Sequence, residues 1–282
     1  MFLSNIKLTA DSTCDLSPEL REALAVELIP LSVCLGERAG LDGVDISPAD
    51  IFAHVDAGGE TPQTSAVNLA QYHEVFARLS PQYDAVIHIS LSSALSASCQ
   101  NATLTAAEFP NVFVIDSRNL STGSGLLLLA ADELRQAGKT GLEIAEALGV
   151  LVPKIEASFV IDTLEYLHRG GRCSTLAAIG ANLLRLKPCI EVSDGGMHVG
   201  KKYRGSIALC VQNYVRDRLS GREDIRRDKI FVTHCACDDE LVQSVVSLVR
   251  SYGFETVHVT TAGCTISSHC GPGTLGVLFL RK

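Results

Sequence analysis

Short apolar segments that run directly into polar residues recur along the first half of this 282-residue sequence. Residues 6–10, 85–89 and 112–115 are such segments, and each is followed by a polar loop and then by residues with helical spacing. Uniformly apolar runs of this length are typical of strands in a parallel sheet that is covered on both faces. The repeated order of strand, loop and helix therefore predicts an α/β fold with a parallel sheet flanked by helices.

The second half predicts a mixed sheet with helices. Its predicted elements are a strand at 159–161, a helix around 176–186, a hairpin of strands 189–192 and 197–200, a helix at 206–219, and a helix at 240–252 between two further strands. A length of 282 residues suits two domains, since a domain averages about 150 residues. We predict two α/β domains, at residues 1–157 and 158–282.

The charge balance disfavours nucleic acid as a partner. The sequence has 24 Lys and Arg residues against 32 Asp and Glu residues, a net charge of −8, and no long basic cluster. No apolar run approaches the ~18 residues of a membrane span. The N-terminus also lacks the charged segment and long apolar segment of a secretory signal. We therefore expect a cytoplasmic protein without an integral membrane segment.

Ten cysteines raise the question of disulfides or metal. Most lie singly in apolar segments, where a free Cys acts as a small hydrophobic residue. One group has zinc-ligand types, namely His234, Cys235, Cys237, Cys264, His269 and Cys270. No Cys-x-x-Cys pair occurs, and Cys235 and Cys237 fall on one face of a strand. We predict reduced, packed thiols and no metal site.

Hydroxyl side chains concentrate where ligands bind in open α/β sheets, beyond the carboxyl ends of strands. Ser90, Ser92, Ser93, Ser96 and Ser98 surround the predicted start of a helix, whose free N–H groups favour an anion. Helix capping explains only one or two of these serines.

Thr64 and Ser65 precede another predicted helix, which begins near Val67. The local pattern favours Ser65 as the cap of that helix.

Known catalytic motifs are weak or missing. The stretch 116–125 lacks the third glycine of G-x-G-x-x-G, and the sequence contains neither G-x-x-x-x-G-K-[ST] nor the G-x-S-x-G elbow. His269 lies beside glycines, so it could donate to an oxyanion or serve as a base for a serine, or it could tie down its own loop. A serine- and histidine-dependent acyl hydrolase or transferase therefore remains an alternative.

Two arginines flank a glycine pair in Arg169-Gly170-Gly171-Arg172. A Gly-Gly turn allows positive φ, and each guanidinium offers a planar set of donors to a carboxylate or phosphate. The pattern is equally typical of a surface turn whose arginines form ordinary ion pairs.

Taken in order, several motifs resemble the DegV family of bacterial lipid-binding proteins. These are Asp11-Ser12-x-x-Asp15-Leu16, Thr64-Ser65, Leu95-Ser96, Asp116-Ser117, Leu164-x-Tyr166-Leu167-x-Arg169-Gly170-Gly171-Arg172, Lys187-Pro188 and His269-x-Gly271-Pro272-Gly273. They span nearly the whole chain. Two segments depart from the family pattern: Ala66-Val67-Asn68 stands for Gln-Pro-Ser, and Ala97 stands for a glycine.

The resemblance implies a long-chain fatty acid held in an apolar tunnel between the two domains, with no other cofactor. By motif position the fatty-acid-binding residues would be Thr64, Ser65, Ser96, Ser98 and His269. Such a protein is not itself an enzyme: it presents the carboxyl group to an ATP-dependent fatty acid kinase, which forms an acyl-phosphate for phospholipid metabolism. Arg169, Arg172 and Arg204 would then face the kinase or the phosphate. For the arginine pair, locking the two domains together remains a further possibility.

Overall fold

A computed structural model describes residues 5–173 and 186–282 of the chain. Its strands are β1 Ile6–Asp11, β2 Glu27–Ile29, β3 Ser32–Leu35, β4 Arg38–Leu41, β5 Gln63–Ser65, β6 Ala85–Ser90, β7 Val112–Asp116, β8 Ile155–Val160, β9 Leu186–Ser193, β10 Gly196–Arg204, β11 Ile225–Cys235, β12 Thr256–Thr261 and β13 Thr274–Arg281. Its helices are α1 Pro18–Ala23, α2 Pro48–Asp56, α3 Leu69–Leu79, α4 Ser98–Ala106, α5 Thr122–Gln136, α6 Gly141–Leu151, α7 Glu165–Gly170, α8 Ile207–Leu219, α9 Asp239–Ser251 and α10 Cys264–Cys270.

The first half forms a parallel sheet in the order β2-β1-β6-β7. Strand β6 is buried along its whole length, as expected for a strand with helices on both faces. Leucines of α5 pack against one face, while Tyr72 and Phe76 of α3 are fully buried on the other side of the sheet's core. The predicted parallel α/β arrangement is confirmed.

The second half forms a six-stranded mixed sheet in the order β10-β9-β8-β13-β11-β12. The predicted hairpin is β9 and β10, which pair antiparallel, whereas β11 and β12 run parallel. Helices α8 and α9 bury an apolar face against this sheet. The predicted mixed sheet is confirmed. The predicted domain boundary falls within β8, and it stays a prediction.

A third, three-stranded antiparallel sheet has the order β4-β3-β5 and was not predicted. Its strands have only three or four residues, too few for a clear alternation of apolar and polar positions. Strand β5 pairs Thr64 with Val33. This sheet therefore fixes the position of Thr64 in the molecule.

The cap of α3 differs from the sequence prediction. The helix begins at Leu69, and Asn68 is its N-cap: Asn68 Oδ1 accepts from Gln71 N at 3.0 Å, and Gln71 Oε1 accepts from Asn68 N at 3.0 Å. Because this reciprocal box satisfies the helix end, Ser65 is not the cap. The prediction for Ser65 as a cap was wrong.

The helix predicted around 176–186 lies outside the described residues, except Leu186, which begins β9. Within 5–173 and 186–282, no helix combines the length and apolar composition that crossing a bilayer requires.

Candidate functional site

A cavity between the two halves of the chain encloses about 510 Å³, part of it open to solvent. Its polar lining comes from both halves: Thr64, Ser65, Ser96, Arg172, Thr265 and His269. The remaining lining is largely apolar and includes Leu31, Leu91 and Leu95. We call this space the polar compartment.

Thr64 and His269 meet in the polar compartment although 205 residues separate them in sequence. Thr64 Oγ1 lies 2.8 Å from His269 Nε2, a hydrogen bond between β5 and α10. His269 was predicted in a loop, but it occupies the last turn of α10, which Gly271 ends with a φ of 73°. The helix therefore fixes the imidazole more firmly than a loop would.

His269 is a neutral imidazole at physiological pH. Burial, together with the smaller effect of the positive charge of Arg172, lowers its pKa from 6.5 to about 4. Nδ1 is buried and has no hydrogen-bond partner among the described residues, and a β-carbon at Gly170 would overlap it. Of the two ring nitrogens, only Nε2 therefore forms a hydrogen bond within the described residues, and its partner is Thr64.

Ser96 and Ser98 have different positions. Ser96 lines the polar compartment; its Oγ lies 3.1 Å from Ser98 Oγ and accepts from Ser98 N at 3.2 Å. Ser98 is fully buried, and its Oγ accepts from Val67 N at 3.2 Å. Ser98 does not line the compartment. The sequence pattern could not show which of these two serines lines the compartment, because that depends on the packing of residue 67 against α4.

The other serines of this segment have structural partners. Ser90 Oγ donates to Asp11 Oδ2 at 2.7 Å, Ser92 Oγ donates to Gly195 O at 2.7 Å, and Ser93 Oγ donates to Asp116 Oδ2 at 2.5 Å. These three hydroxyls therefore connect strands and loops. Of the five serines in this segment, Ser96 is the one that lines the compartment.

The two arginines of the Gly-Gly motif also separate. Arg172 lines the polar compartment, is exposed, and donates from Nη1 to Gly170 O at 2.7 Å. Arg169 does not line it: its Nη1 donates to Thr61 Oγ1 at 2.8 Å, and its Nη2 lies 2.6 Å from Glu165 Oε1. Arg169 thus ties α7 to the segment that precedes β5.

The glycines of this motif end a helix. Residues Glu165–Gly170 form α7, and Gly171 ends it with a left-handed φ of 66°. Arg204 lies on the exposed side of β10 and does not line the polar compartment.

A second cavity of about 350 Å³, part of it open to solvent, adjoins the first, since Leu120, Ile266 and Cys270 line both. We call it the apolar compartment. Its wall includes several polar residue types whose polar atoms have partners elsewhere: Ser121 Oγ donates to Asp15, Thr233 Oγ1 bonds Thr122 Oγ1 and Thr260 Oγ1, and Thr274 Oγ1 donates to Cys270 O. These hydroxyl side chains can present hydrocarbon to the cavity, whereas His234 on the same wall has a buried Nδ1 with no hydrogen-bond partner among the described residues. The compartment is therefore suited to an aliphatic chain.

Two buried acidic side chains anchor α10, the helix that supplies wall residues to both compartments. Asp42 accepts from Cys264 N at 2.8 Å and from Thr265 N at 3.1 Å, and Asp15 accepts from Gly263 N at 2.8 Å. Burial, together with the smaller effect of nearby Asp42, raises the pKa of Asp15 to about 8. Both acids come from the first half of the chain.

Sequence reasoning did not assign a role to these two acidic residues. Asp15 stands in the quoted Asp11-Ser12-x-x-Asp15 motif, which was a usable signal, and Ser12 Oγ donates to Asp42 Oδ2 at 3.0 Å. For Asp42, a single acid after a short strand, the sequence carried no signal.

All ten cysteines are free thiols. Within the described ranges, no group of three or more His, Cys, Asp and Glu side chains could hold a metal ion. In the group of zinc-ligand types, Cys235 Sγ bonds Ser267 Oγ at 3.1 Å and Cys237 Sγ bonds Thr274 O at 3.3 Å. Burial raises the pKa of Cys235 to about 12. These thiols act as packed side chains.

A family model described as "Uncharacterised protein, DegV family" matches residues 5–282, nearly the full chain. The chain belongs to the DegV family. Among curated relatives, a DegV domain-containing protein of Deinococcus radiodurans is 30% identical, with 97% of each chain covered. Another, from Clostridium acetobutylicum, is 29% identical over 99% of this chain and 100% of the relative.

Solved DegV structures share the fold of this chain. A DegV family protein from Thermus thermophilus, described for its fatty acid binding, has a TM-score of 0.87 and 31% identity, covering 99% of this chain and 100% of that one. DegV of Bacillus subtilis, described as a fatty acid binding protein, has a TM-score of 0.85 and 26% identity over the same shares. The predicted DegV resemblance and two-domain α/β fold are thereby confirmed.

Proposed function

We propose that this protein binds a long-chain fatty acid between its predicted domains, residues 1–157 and 158–282. The carboxyl group occupies the polar compartment, and the acyl chain passes Ile266 into the apolar compartment. The observation that carries the proposal is that the two compartments share wall residues, so a polar site continues into a hydrocarbon-lined space. The fatty acid binding described for two DegV structures supports it.

The energetics favour such a ligand. Each buried CH2 group contributes about 0.8 kcal/mol, so the apolar compartment supplies affinity. A buried carboxylate needs hydrogen-bond donors, because an unpaired one is costly. Thr64 and Ser96 offer hydroxyls on the compartment wall, with Ser65 beside them, and Arg172 offers a positive charge.

In this proposal His269 acts mainly through Thr64. A neutral imidazole with its proton on Nε2 donates to Thr64 Oγ1, and the Thr64 hydroxyl is then free to donate to the carboxylate. Ser98 contributes indirectly, since its N–H and hydroxyl hold Ser96. The fatty-acid-binding set is thus Thr64, Ser65, Ser96 and His269, with Ser98 behind it.

We further propose that the carboxyl end is presented to a fatty acid kinase in the cytoplasm, which phosphorylates it. Arg172 is exposed at the polar compartment, where it could accompany a developing acyl-phosphate. Arg204 belongs to the proposed kinase-facing surface, and Arg169 contributes by holding α7 to Thr61. The protein itself then carries out no chemistry.

The geometry does not favour an acyl hydrolase or transferase. A serine nucleophile needs a histidine base that a third group orients. His269 Nε2 bonds Thr64, not a serine, and Nδ1 has no acidic partner among the described residues. Ser96 bonds Ser98.

Mass spectrometry of lipid extracted from the purified protein tests the proposal. We expect one bound long-chain fatty acid per protein. Absence of bound lipid, combined with no uptake of added palmitate or oleate, would refute it.

Variants of the hydroxyls locate the carboxyl site. Thr64→Val and Ser96→Ala each remove a hydrogen bond to a charged group, worth about 1.5–3 kcal/mol, and should weaken retention roughly tenfold or more. Thr103→Val is the matched control, since Thr103 lies exposed on α4 and bonds Cys99 O. Equal retention in all three variants would place the carboxyl group elsewhere.

A further inference from the structure

We propose that Ile266 is the specificity-determining residue for acyl-chain length, because it controls passage between the two compartments. The proposal rests on the fatty acid binding proposed above. It goes further in assigning the selection of long over medium chains to one side chain on α10.

Three side chains line both compartments, and they differ in exposure. Leu120 and Cys270 are 5% and 4% exposed and belong to the packed core beneath the polar compartment. Ile266 is partly exposed and packs against that same core. Of these three, Ile266 therefore retains the most open space around it. We call the three together the neck.

The position of Ile266 is fixed by the anchoring of its helix. Asp42 and Asp15 accept hydrogen bonds from the three successive N–H groups of residues 263–265, directly before Ile266. Isoleucine is also stiff at χ1 because it branches at Cβ. The width of the neck therefore depends on the size of the side chain at 266 more than on movement of α10.

Two substitutions change this width in opposite directions. Ile266→Phe adds bulk at the neck and confines a ligand to the polar compartment, so that a medium-chain fatty acid fits and a long one does not. Ile266→Ala opens the neck and admits bulkier chains. Leu142→Phe is a size-matched control, because Leu142 is an exposed residue of α6 away from both compartments.

The experiment is a competition with the full-length protein. Delipidated wild type and variants are incubated with an equimolar mixture of decanoate, palmitate and the methyl-branched phytanate, and bound lipid is quantified by mass spectrometry. We expect wild type and Leu142→Phe to select palmitate. In Ile266→Phe the ratio of bound decanoate to palmitate should rise about tenfold or more, and in Ile266→Ala the share of phytanate should rise.

The outcomes separate the two proposals. A wild type that takes up none of the three acids refutes fatty acid binding itself. If the wild type selects palmitate and both Ile266 variants bind the three acids in the same proportions as the wild type, only the role of Ile266 is overturned. If Ile266→Phe does not fold, as thermal unfolding will show, an unchanged profile in Ile266→Ala is sufficient to overturn it.

Discussion

Gly170 lies directly against the imidazole of His269, so that a β-carbon at residue 170 would overlap Nδ1. The second glycine of the pair, Gly171, has open space around it but a left-handed φ of 66°. One glycine of the Gly-Gly motif is therefore required by close approach and the other by backbone conformation. The motif thus shapes the binding site through its glycines as well as its arginines.

Gly170→Ala should displace His269 and weaken its hydrogen bond to Thr64. We expect reduced fatty acid retention and a loss of about 1–3 kcal/mol in unfolding free energy, as for an overpacked site. Gly149→Ala is the control, because nothing lies within 4 Å of its added β-carbon, and it should stabilise α6 by roughly 0.5–1 kcal/mol. Denaturant unfolding and lipid quantification measure both effects; unchanged retention in Gly170→Ala would contradict the account of His269.

Acidification should destabilise the protein through His269. Its pKa is about 4 when folded and 6.5 ordinarily, so between these values the unfolded chain binds a proton that the native protein does not. Stability therefore falls as pH drops from 6.5 to 4, by up to about 1.4 kcal/mol per pH unit. Urea unfolding measures the free energy of unfolding across this pH range. That free energy should depend less steeply on pH in His269→Gln than in the wild type. Identical slopes would mean that this imidazole is not held neutral.

Asp15 should produce the opposite dependence. Its carboxyl has a pKa of about 8 when folded and 3.8 ordinarily, so between these values the native protein holds a proton that the unfolded chain has released. Its contribution to stability is therefore lost as pH rises from 4 to 8. Asp15→Asn keeps an acceptor for Gly263 N but has no titrating carboxyl. Its unfolding free energy, measured with urea at each pH, should therefore lack this decrease between pH 4 and 8. If the unfolding free energy of Asp15→Asn depended on pH as that of the wild type does, Asp15 would be ionised in the native state.

Removal of the Asp42 carboxylate should loosen α10. Asp42→Ala leaves the buried N–H groups of Cys264 and Thr265 without their acceptor and should cost about 3 kcal/mol or more. Fatty acid retention should fall as well, because α10 carries Ile266 and His269. Asp45→Ala serves for comparison: Asp45 accepts from Leu41 N at 2.9 Å in the same loop but is exposed, so about 1 kcal/mol is expected. Similar unfolding energies for the two variants would refute the anchoring role.

The sheets show which parts of the fold were predictable. Strands β6 and β7 were found at almost their true bounds because a buried parallel strand is a continuous apolar run. The sheet of β3, β4 and β5 was missed, since its strands are short and β5 joins β3 across about 30 residues. Pairing over such a distance leaves no local periodicity in sequence.

The hydroxyls of the site also could be predicted only in part from the sequence. The motifs named Thr64, Ser96, Ser98 and His269, but which hydroxyl lines a cavity depends on the partner that each finds. Ser98 is turned to Val67 N, and Thr64 to His269. The Ser65 cap failed for a related reason, because Asn68 with Gln71 makes the better helix start.

By itself the sequence determined the α/β class, the mixed sheet of the second half and the residue types around the ligand, because these follow from local periodicity, turn chemistry and motif order. The tertiary structure decided that Arg172 lines the polar compartment while Arg169 binds Thr61, that Asp15 and Asp42 anchor α10, and that Ile266 lies where two compartments meet. Each of these depends on contacts between residues more than 100 positions apart, or on which side of a short helix faces a cavity. Such relationships arise only when the two halves pack against each other.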